Sequence, residues 1–369
     1  MKRVGILLII LTMLFQGTVF ADETVKTVEI VSFENAYNKM IENNRELSSI
    51  EKQIEIQKEI VEEVKNEASR LDGFIYDDED KINDRATAVY VDPVVAQNKL
   101  NSLERSYDDK VFELKQSLVD YFVNFVSKDN QIALYQEVKD IYQKEYDQKA
   151  LELSLGKITE NDLLTYEVNL DSANKDLDNA NRDKELTLMD FNYLINNSLE
   201  IVNTPDTKSL ESSLLGNYVD IESINLEKLI ERNIENDSTV AGYKEDIEKY
   251  EQQKHVERVY TSSVSAFKNY EQNIEDNERD TDARIKAIKF EAYTDLNTLK
   301  SLVLDVKIAQ NNLTLVKSTL EATKVKNNLG IVTDLELIKA QKEVLSSEGT
   351  VTDALNAYYK AYQAFLRYY

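Results

Sequence analysis

The sequence predicts an all-α protein: long antiparallel helical hairpins packed as coiled coils, in two tandem copies of one unit. Three observations carry this. The chain has 2 Pro and 8 Gly in 369 residues, too few breaks for many loops. Apolar and small residues recur in alternating steps of three and four over long stretches, which is the seam of packed helices. One short turn also occurs twice, 174 residues apart. It reads Leu155, Gly156, Lys157, Ile158, Thr159, Glu160, Asn161, Asp162, Leu163, and again Leu329, Gly330, Ile331, Val332, Thr333, Asp334, Leu335, Glu336, Leu337.

The turn has a physical reading. Gly156 and Gly330 sit where a helix ends on a left-handed residue, and Thr159 and Thr333 follow three positions later as N-caps. Thr333 with Glu336 makes a full capping box and Thr159 with Asp162 a shorter-armed one, while Ile158 with Leu163 and Val332 with Leu337 form hydrophobic staples. Each copy therefore folds one long helix back on another.

Residues 1–21 begin with Lys2 and Arg3, continue through the apolar stretch 4–15, and end on Val19 and Ala21. That is the pattern of a secretory signal cleaved before Asp22; an uncleaved anchor is the alternative. No later segment is apolar enough to cross a bilayer as a helix, and no lipobox cysteine is present. The formal net charge is −24, and losing Lys2 and Arg3 with the signal makes it −26. Nucleic acid and anionic lipid are poor partners for such a surface. With no Cys, stability must come from packing.

The first helical repeat spans 22–196. Ser32 caps an opening helix whose stripe of Phe33, Tyr37, Met40, Leu47, Ile50, Ile54 and Val61 runs to about Leu71. Next comes a connector, 73–93, with two strand-like pieces, 74–76 and 87–91, around the acidic run 77–80. That run lacks the spacing and the Gly of a calcium loop, and reads as a solvated turn. From Pro93, which suits a first helical turn, an unbroken pattern reaches Leu155. The return helix carries Leu163, Tyr166, Leu170, Ala173, Leu177 and Ala180 as a heptad seam.

Residues 197–221, with Pro205, read as a linker, and the second repeat occupies 222–369. Leu226, Ile230, Ile234, Val240, Tyr243 and Ile247 match Phe33, Tyr37, Ile41, Leu47, Ile50 and Ile54 at an offset of 193. Since the turns differ by 174, the second copy has lost 19 residues, a deficit placed in its connector around 259–282. Beyond it, Leu299, Leu302, Val306, Ala309, Leu313, Val316 and Leu320 lead to the turn at Gly330. The last helix carries Leu337, Ala340, Val344, Ser347, Val351, Ala354, Tyr358, Ala361 and Phe365. Such thin stripes, with no third layer, leave apolar surface for lateral association.

Catalytic chemistry has little to work with. His255 is the one histidine, and without Cys the usual nucleophile–base and zinc arrangements are excluded. Carboxylates are spread over helix faces, and no phosphate loop or dinucleotide fingerprint occurs. No catalytic, cofactor or metal residues are assigned, and the chain reads as a non-enzyme.

Taken together, the signal, the two copies, the Asn43-Asn44 break before Leu47 and the doubled Gly-x-x-Thr-x-x-acidic-apolar-apolar turn resemble the TolC family of outer-membrane efflux proteins. The motif stands here as Gly156, Thr159, Asp162, Leu163, Leu164 and as Gly330, Thr333, Glu336, Leu337, Ile338. The resemblance implies a homotrimeric helical duct. Its tips, Leu155, Gly156, Lys157, Ile158, Thr159 and Leu329, Gly330, Ile331, Val332, Thr333, would dock a membrane-fusion adaptor of an inner efflux or type I secretion pump. It also implies an envelope location, at an outer membrane and periplasm or on the outer face of a single-membrane cell.

Two departures matter. Family members have Pro in the opening helix where this chain has Arg45, and each of their connectors contributes two long strands to a β-barrel. A spanning strand needs about 9–11 alternating residues, which neither 74–76 and 87–91 nor 259–264 supplies. The barrel strands are expected to be reduced or absent. A secreted structural coiled-coil protein of the envelope, with no transport role, explains the seams and charge equally well. It leaves the repeated turn unexplained.

Overall fold

The computed structural model describes residues 28–74, 78–206, 221, 224–261 and 263–365; the signal segment and most of the linker lie outside them. The element order is β1 (Glu29–Val31), α1 (Phe33–Asn43), α2 (Arg45–Leu71), α3 (Glu79–Ala86), a π-helical turn (Thr87–Val91), α4 (Asp92–Ser154), α5 (Glu160–Asn196) and β2 (Asn203–Pro205). The second half follows as α6 (Leu226–Asn236), α7 (Ser238–Val256), a second π-helical turn (Glu257–Thr261), α8 (Val264–Asn328) and α9 (Asp334–Phe365). The protein is overwhelmingly helical, as the seams predict. Its described strands are β1 and β2, which pair in parallel, and no barrel is formed among the described residues.

Helices α4 and α8 are 63 and 65 residues long, about 95 and 98 Å at 1.5 Å per residue. A helix of that length is stable only where its sides are covered. Accordingly α5 packs along the turn-proximal half of α4 and α2 along the other half, while α9 and α7 do the same for α8. The stripes point where the periodicity placed them: Met40, Leu47, Val61, Leu170, Ala173, Leu177 and Ala180 are buried in the first repeat, and Leu299, Val306, Val344, Tyr358 and Phe365 in the second. The largest core joins the opening helix to the hairpin, with Met40 and Leu47 against Leu118, Phe122 and Phe191. Phe122 sits edge-on to both Phe33 and Phe191, with centroids 5.4 and 5.7 Å away.

The repeat is legible position by position. At the offset of 174, Leu100, Leu114, Leu170, Ala173 and Phe191 correspond to Ile274, Ile288, Val344, Ser347 and Phe365, and all ten are buried. At the offset of 193, Asn44 corresponds to Asp237. Asn44 Oδ1 accepts the N–H groups of Glu46 and Leu47 at 3.0 and 2.9 Å, and Asp237 Oδ1 accepts those of Thr239 and Val240 at 3.1 and 2.9 Å. The predicted single helix to Leu71 is therefore two helices. An Asx N-cap restarts the chain without the proline, because the side-chain oxygen satisfies N–H groups the break exposes.

Three other expectations are corrected. Thr87–Val91 is a π-helical turn, not a strand, and of 259–264 the residues to Thr261 complete a second π-helical turn while Val264 opens α8; each turn continues directly from a helix whose carbonyls take its first N–H, and most of 74–76 lies outside the described residues. In the first connector Asp78 caps α3 and Arg85 ties α3 to the end of α2 through the carbonyls of Leu71 and Asp72. The second connector has no counterpart of α3, and the deficit is confined to the segment between Val256 and Val264. Residues 264–282 are already helix, with Ile274 buried and the exposed pair Arg279–Asp276 on its outer side.

The linker is also partly anchored. Asn197, left-handed at φ 51, ends α5, and β2 returns to pair with β1. Buried Asn192 organises this return: its Oδ1 accepts the N–H groups of Val202 and Asn203 at 3.1 and 2.9 Å. Its Nδ2 donates to the carbonyls of Leu188 and Asn203, each at 2.8 Å. Full satisfaction is what lets an amide sit at zero exposure.

Candidate functional site

The two turns have one geometry. Gly156 and Gly330 adopt φ of +69 and +70, conformations a side chain with Cβ strains to reach. At the first turn Gly156 N–H donates to Leu153 O at 2.8 Å and Lys157 N–H to Glu152 O at 2.9 Å; at the second, Gly330 N–H donates to Asn327 O at 2.8 Å and Ile331 N–H to Lys326 O at 2.9 Å. Each is a Schellman closure. Thr159 N–H then donates to Asp162 Oδ2 at 2.9 Å while Asp162 N–H donates to Thr159 Oγ1 at 3.3 Å. Thr333 and Glu336 repeat the exchange at 2.8 and 3.3 Å. The hydrogen bonds from backbone and hydroxyl of Thr159 hold the Asp162 carboxyl below its usual range, and those of Thr333 do the same for Glu336.

With the backbone satisfied internally, the side chains at the turns are left outward. Leu155, Leu329 and Ile331 are 61%, 68% and 67% exposed. Lys157, Thr159 and Thr333 are exposed too, while Ile158 and Val332 are half-buried beside the half-buried Leu163 and Leu337. The structure thus brings the ten predicted residues into two matching apolar-tipped turns. Both turns lie at the same end of the molecule, because α9 runs antiparallel to α4. Lys342 Nζ stands 3.7 Å from the Tyr142 ring centroid, Asn130 Nδ2 donates to Thr352 Oγ1 at 3.3 Å, and Lys360 Nζ pairs with Asp120 Oδ1 at 3.2 Å.

That α4–α9 seam joins the hairpins in the order α5, α4, α9, α8, leaving α5 and α8 at the edges. A face of α8 is bare: Phe290, Tyr293, Leu304, Ile308 and Leu315 are each more than half exposed and fall within a stripe of about 60° at 100° per residue. On α5, Leu164, Val168, Leu186 and Tyr193 do likewise. Sequence reasoning followed the seams and missed these outer stripes, although their spacing carries the same signal.

The opposite end is closed by the connectors, where Ala86, Val91 and Val256 are buried with Tyr90 and Tyr260 around them. His255 lies edge-on to both tyrosine rings. Among the described residues no cluster of His, Asp and Glu fit to hold a metal occurs, and no helix is long and apolar enough to cross a membrane.

Solved outer-membrane channels share this architecture. VceC of Vibrio cholerae aligns with a TM-score of 0.63 at 9% identity, covering 91% of this chain and 95% of that one. The open state of MtrE from Neisseria gonorrhoeae gives 0.63 at 11%, covering 91% and 88%, and CusC gives 0.59 at 12%, covering 96% and 95%. The fold is TolC-like. No family model matches the sequence, nor does any curated protein.

Proposed function

We propose that the chain is the duct component of an efflux or type I secretion system in the cell envelope. Copies associate side by side as a helical tube, three by resemblance to TolC proteins, and the turns at 155–159 and 329–333 dock a membrane-fusion adaptor that leads to an inner pump. The observation that carries this reading is the pair of superimposable turns. Both close hairpins whose longer arm is nearly 100 Å, both lie at the same end of the molecule, both close their own backbone hydrogen bonds, and both hold leucines out to solvent. A coiled coil that only spaced two structures apart would gain nothing from exposed Leu155, Leu329 and Ile331. The bare edges of α5 and α8 support lateral assembly, and the helical connectors support a duct that ends outside lipid.

The test pairs native mass with adaptor capture. Lys157→Glu with Ile331→Asp is expected to keep helix content and oligomeric mass while losing pull-down of a membrane-fusion adaptor that the unsubstituted chain captures. Undiminished capture would mean the turns are structural only.

A further inference from the structure

At the connector end the two repeats meet through a pair of phenols. Tyr90 belongs to the first π-helical turn and Tyr260 to the second, and their hydroxyl oxygens are 3.3 Å apart. The rings are close to parallel, at 25°, with centroids 6.0 Å apart. Oxygens nearer to each other than the centroids mean that the rings converge toward their phenol ends, where the carbons ortho to oxygen sit. Both rings pack against the buried cluster of Ala86, Val91 and Val256, and His255 stands edge-on to them at 5.2 and 6.3 Å. Tyr250 and Tyr270 stack in nearly the same way, at 6.2 Å and 28°, but among the described residues no hydrogen bond joins their hydroxyls.

We propose that Tyr90 and Tyr260 are a dityrosine site, where oxidation by peroxide and a peroxidase joins the first connector to the second through a carbon–carbon bond. Each phenol gives up one hydrogen atom, as an electron and a proton, and becomes a phenoxyl radical. The radicals couple through ortho carbons, and the hydrogens on those carbons move to the oxygens and restore both phenols. Net, one carbon–carbon bond forms, two hydrogens leave, and one hydrogen peroxide becomes two waters. In the product the hydroxyls flank the new bond, which is how this pair already faces. A chain with no Cys cannot answer an oxidising surrounding with a disulfide. This bond would close a loop of 170 residues and, like a disulfide, restrict the unfolded chain. The proposal rests on the envelope location given above for the presence of an oxidant, and not for the geometry.

The test treats the purified full-length chain with a peroxidase and limiting hydrogen peroxide, beside free tyrosine as a monitor of the oxidant. Trypsin releases Tyr90 in residues 86–99 and Tyr260 in residues 259–268, each the one tyrosine of its peptide. These two peptides are expected to be recovered linked, lighter than their sum by two hydrogens, from chains that run as single copies under denaturing conditions. The linked chain is expected to unfold at a higher temperature than the untreated one. Tyr90→Phe and Tyr260→Phe keep the ring and the helix content and are each expected to lose the linked species. Coupling of Tyr250 with Tyr270 to the same extent overturns the assignment, because stacking alone would then suffice. Linkage found only between separate copies overturns it too, as does recovery of both peptides unlinked while free tyrosine couples. Since the oxidant is supplied, each of these failures leaves the envelope reading standing.

Discussion

The face of α4 that α9 covers and the matching face of α8 that no described residue covers occupy the same register, yet they differ in polarity at several places. Asn130 is replaced by Leu304, and across the seam Lys342 and Lys360 are replaced by Val168 and Leu186. Inside the chain α9 is held beside α4 covalently, at high effective concentration, so polar contacts worth up to about 1 kcal/mol each suffice. Two separate copies must overcome about 4–15 kcal/mol of lost translational and rotational freedom. In the proposed assembly apolar side chains would meet that cost, at about 1.5–3 kcal/mol for each Leu or Ile fully buried. If copies assemble as proposed, the two faces diverged according to whether the partner is tethered.

The comparison breaks most easily on the bare face. Leu304→Asp with Ile308→Asp is expected to reduce native mass to that of a monomer at micromolar concentration while circular dichroism stays helical. Asn130→Asp, at the matching place on the tethered face, leaves the mass unchanged. Equal effects of the two would end the distinction between the faces.

A smaller effect separates the turn glycines from a helical one. Gly330→Val forces a branched side chain into positive φ and is expected to cost about 1–2 kcal/mol of local stability. Gly349 lies within α9 with open space around its Cβ position and no positive φ, and Gly349→Ala is expected to add about 0.5–1 kcal/mol. Thermal and urea unfolding, followed by amide exchange at residues 327–337, distinguish the two.

The equivalent caps Asn44 and Asp237 give a pH-dependent contrast. Burial raises the Asp237 carboxyl, but Arg284 and the N–H groups of Val240 and Thr239 outweigh it, and the net shift is downward. A carboxylate lowered on folding contributes stability that is whole above the unfolded value, about 3.9, and is lost as pH falls through the folded one. Acidification below about pH 4 should therefore speed amide exchange at 238–241 in α7 and leave 45–48 in α2 steady. Asp237→Asn should abolish the difference.

The smallest effect is at the capping boxes. Asp162→Asn and Glu336→Gln keep the shape but weaken the charge-assisted bond to the Thr N–H. Slightly faster exchange of the Thr159 and Thr333 amides is expected, with no change in native mass. Loss of assembly would mean that the turns, and not the α5 and α8 edges, hold the copies together.

The sequence by itself determined the helical class, the two copies, both turns and the buried stripe, because these depend on period, on glycine at positive φ and on caps three residues away. All are local rules: the ten turn residues were readable because each one's job is done within five residues of it. Tertiary structure alone decided the rest. The β1–β2 pair joins Val31 to Pro205, and Asn192 is satisfied only because β2 folds back over α5. Thr87–Val91 has the residues of a strand, yet a strand needs a neighbour to take its hydrogen bonds, and here the chain stays helical between α3 and α4. Which apolar stripe stays bare was likewise settled by packing. Leu304 and Leu299 are both leucines on α8, and only the placement of α7 and α9 buries the second while leaving the first outside.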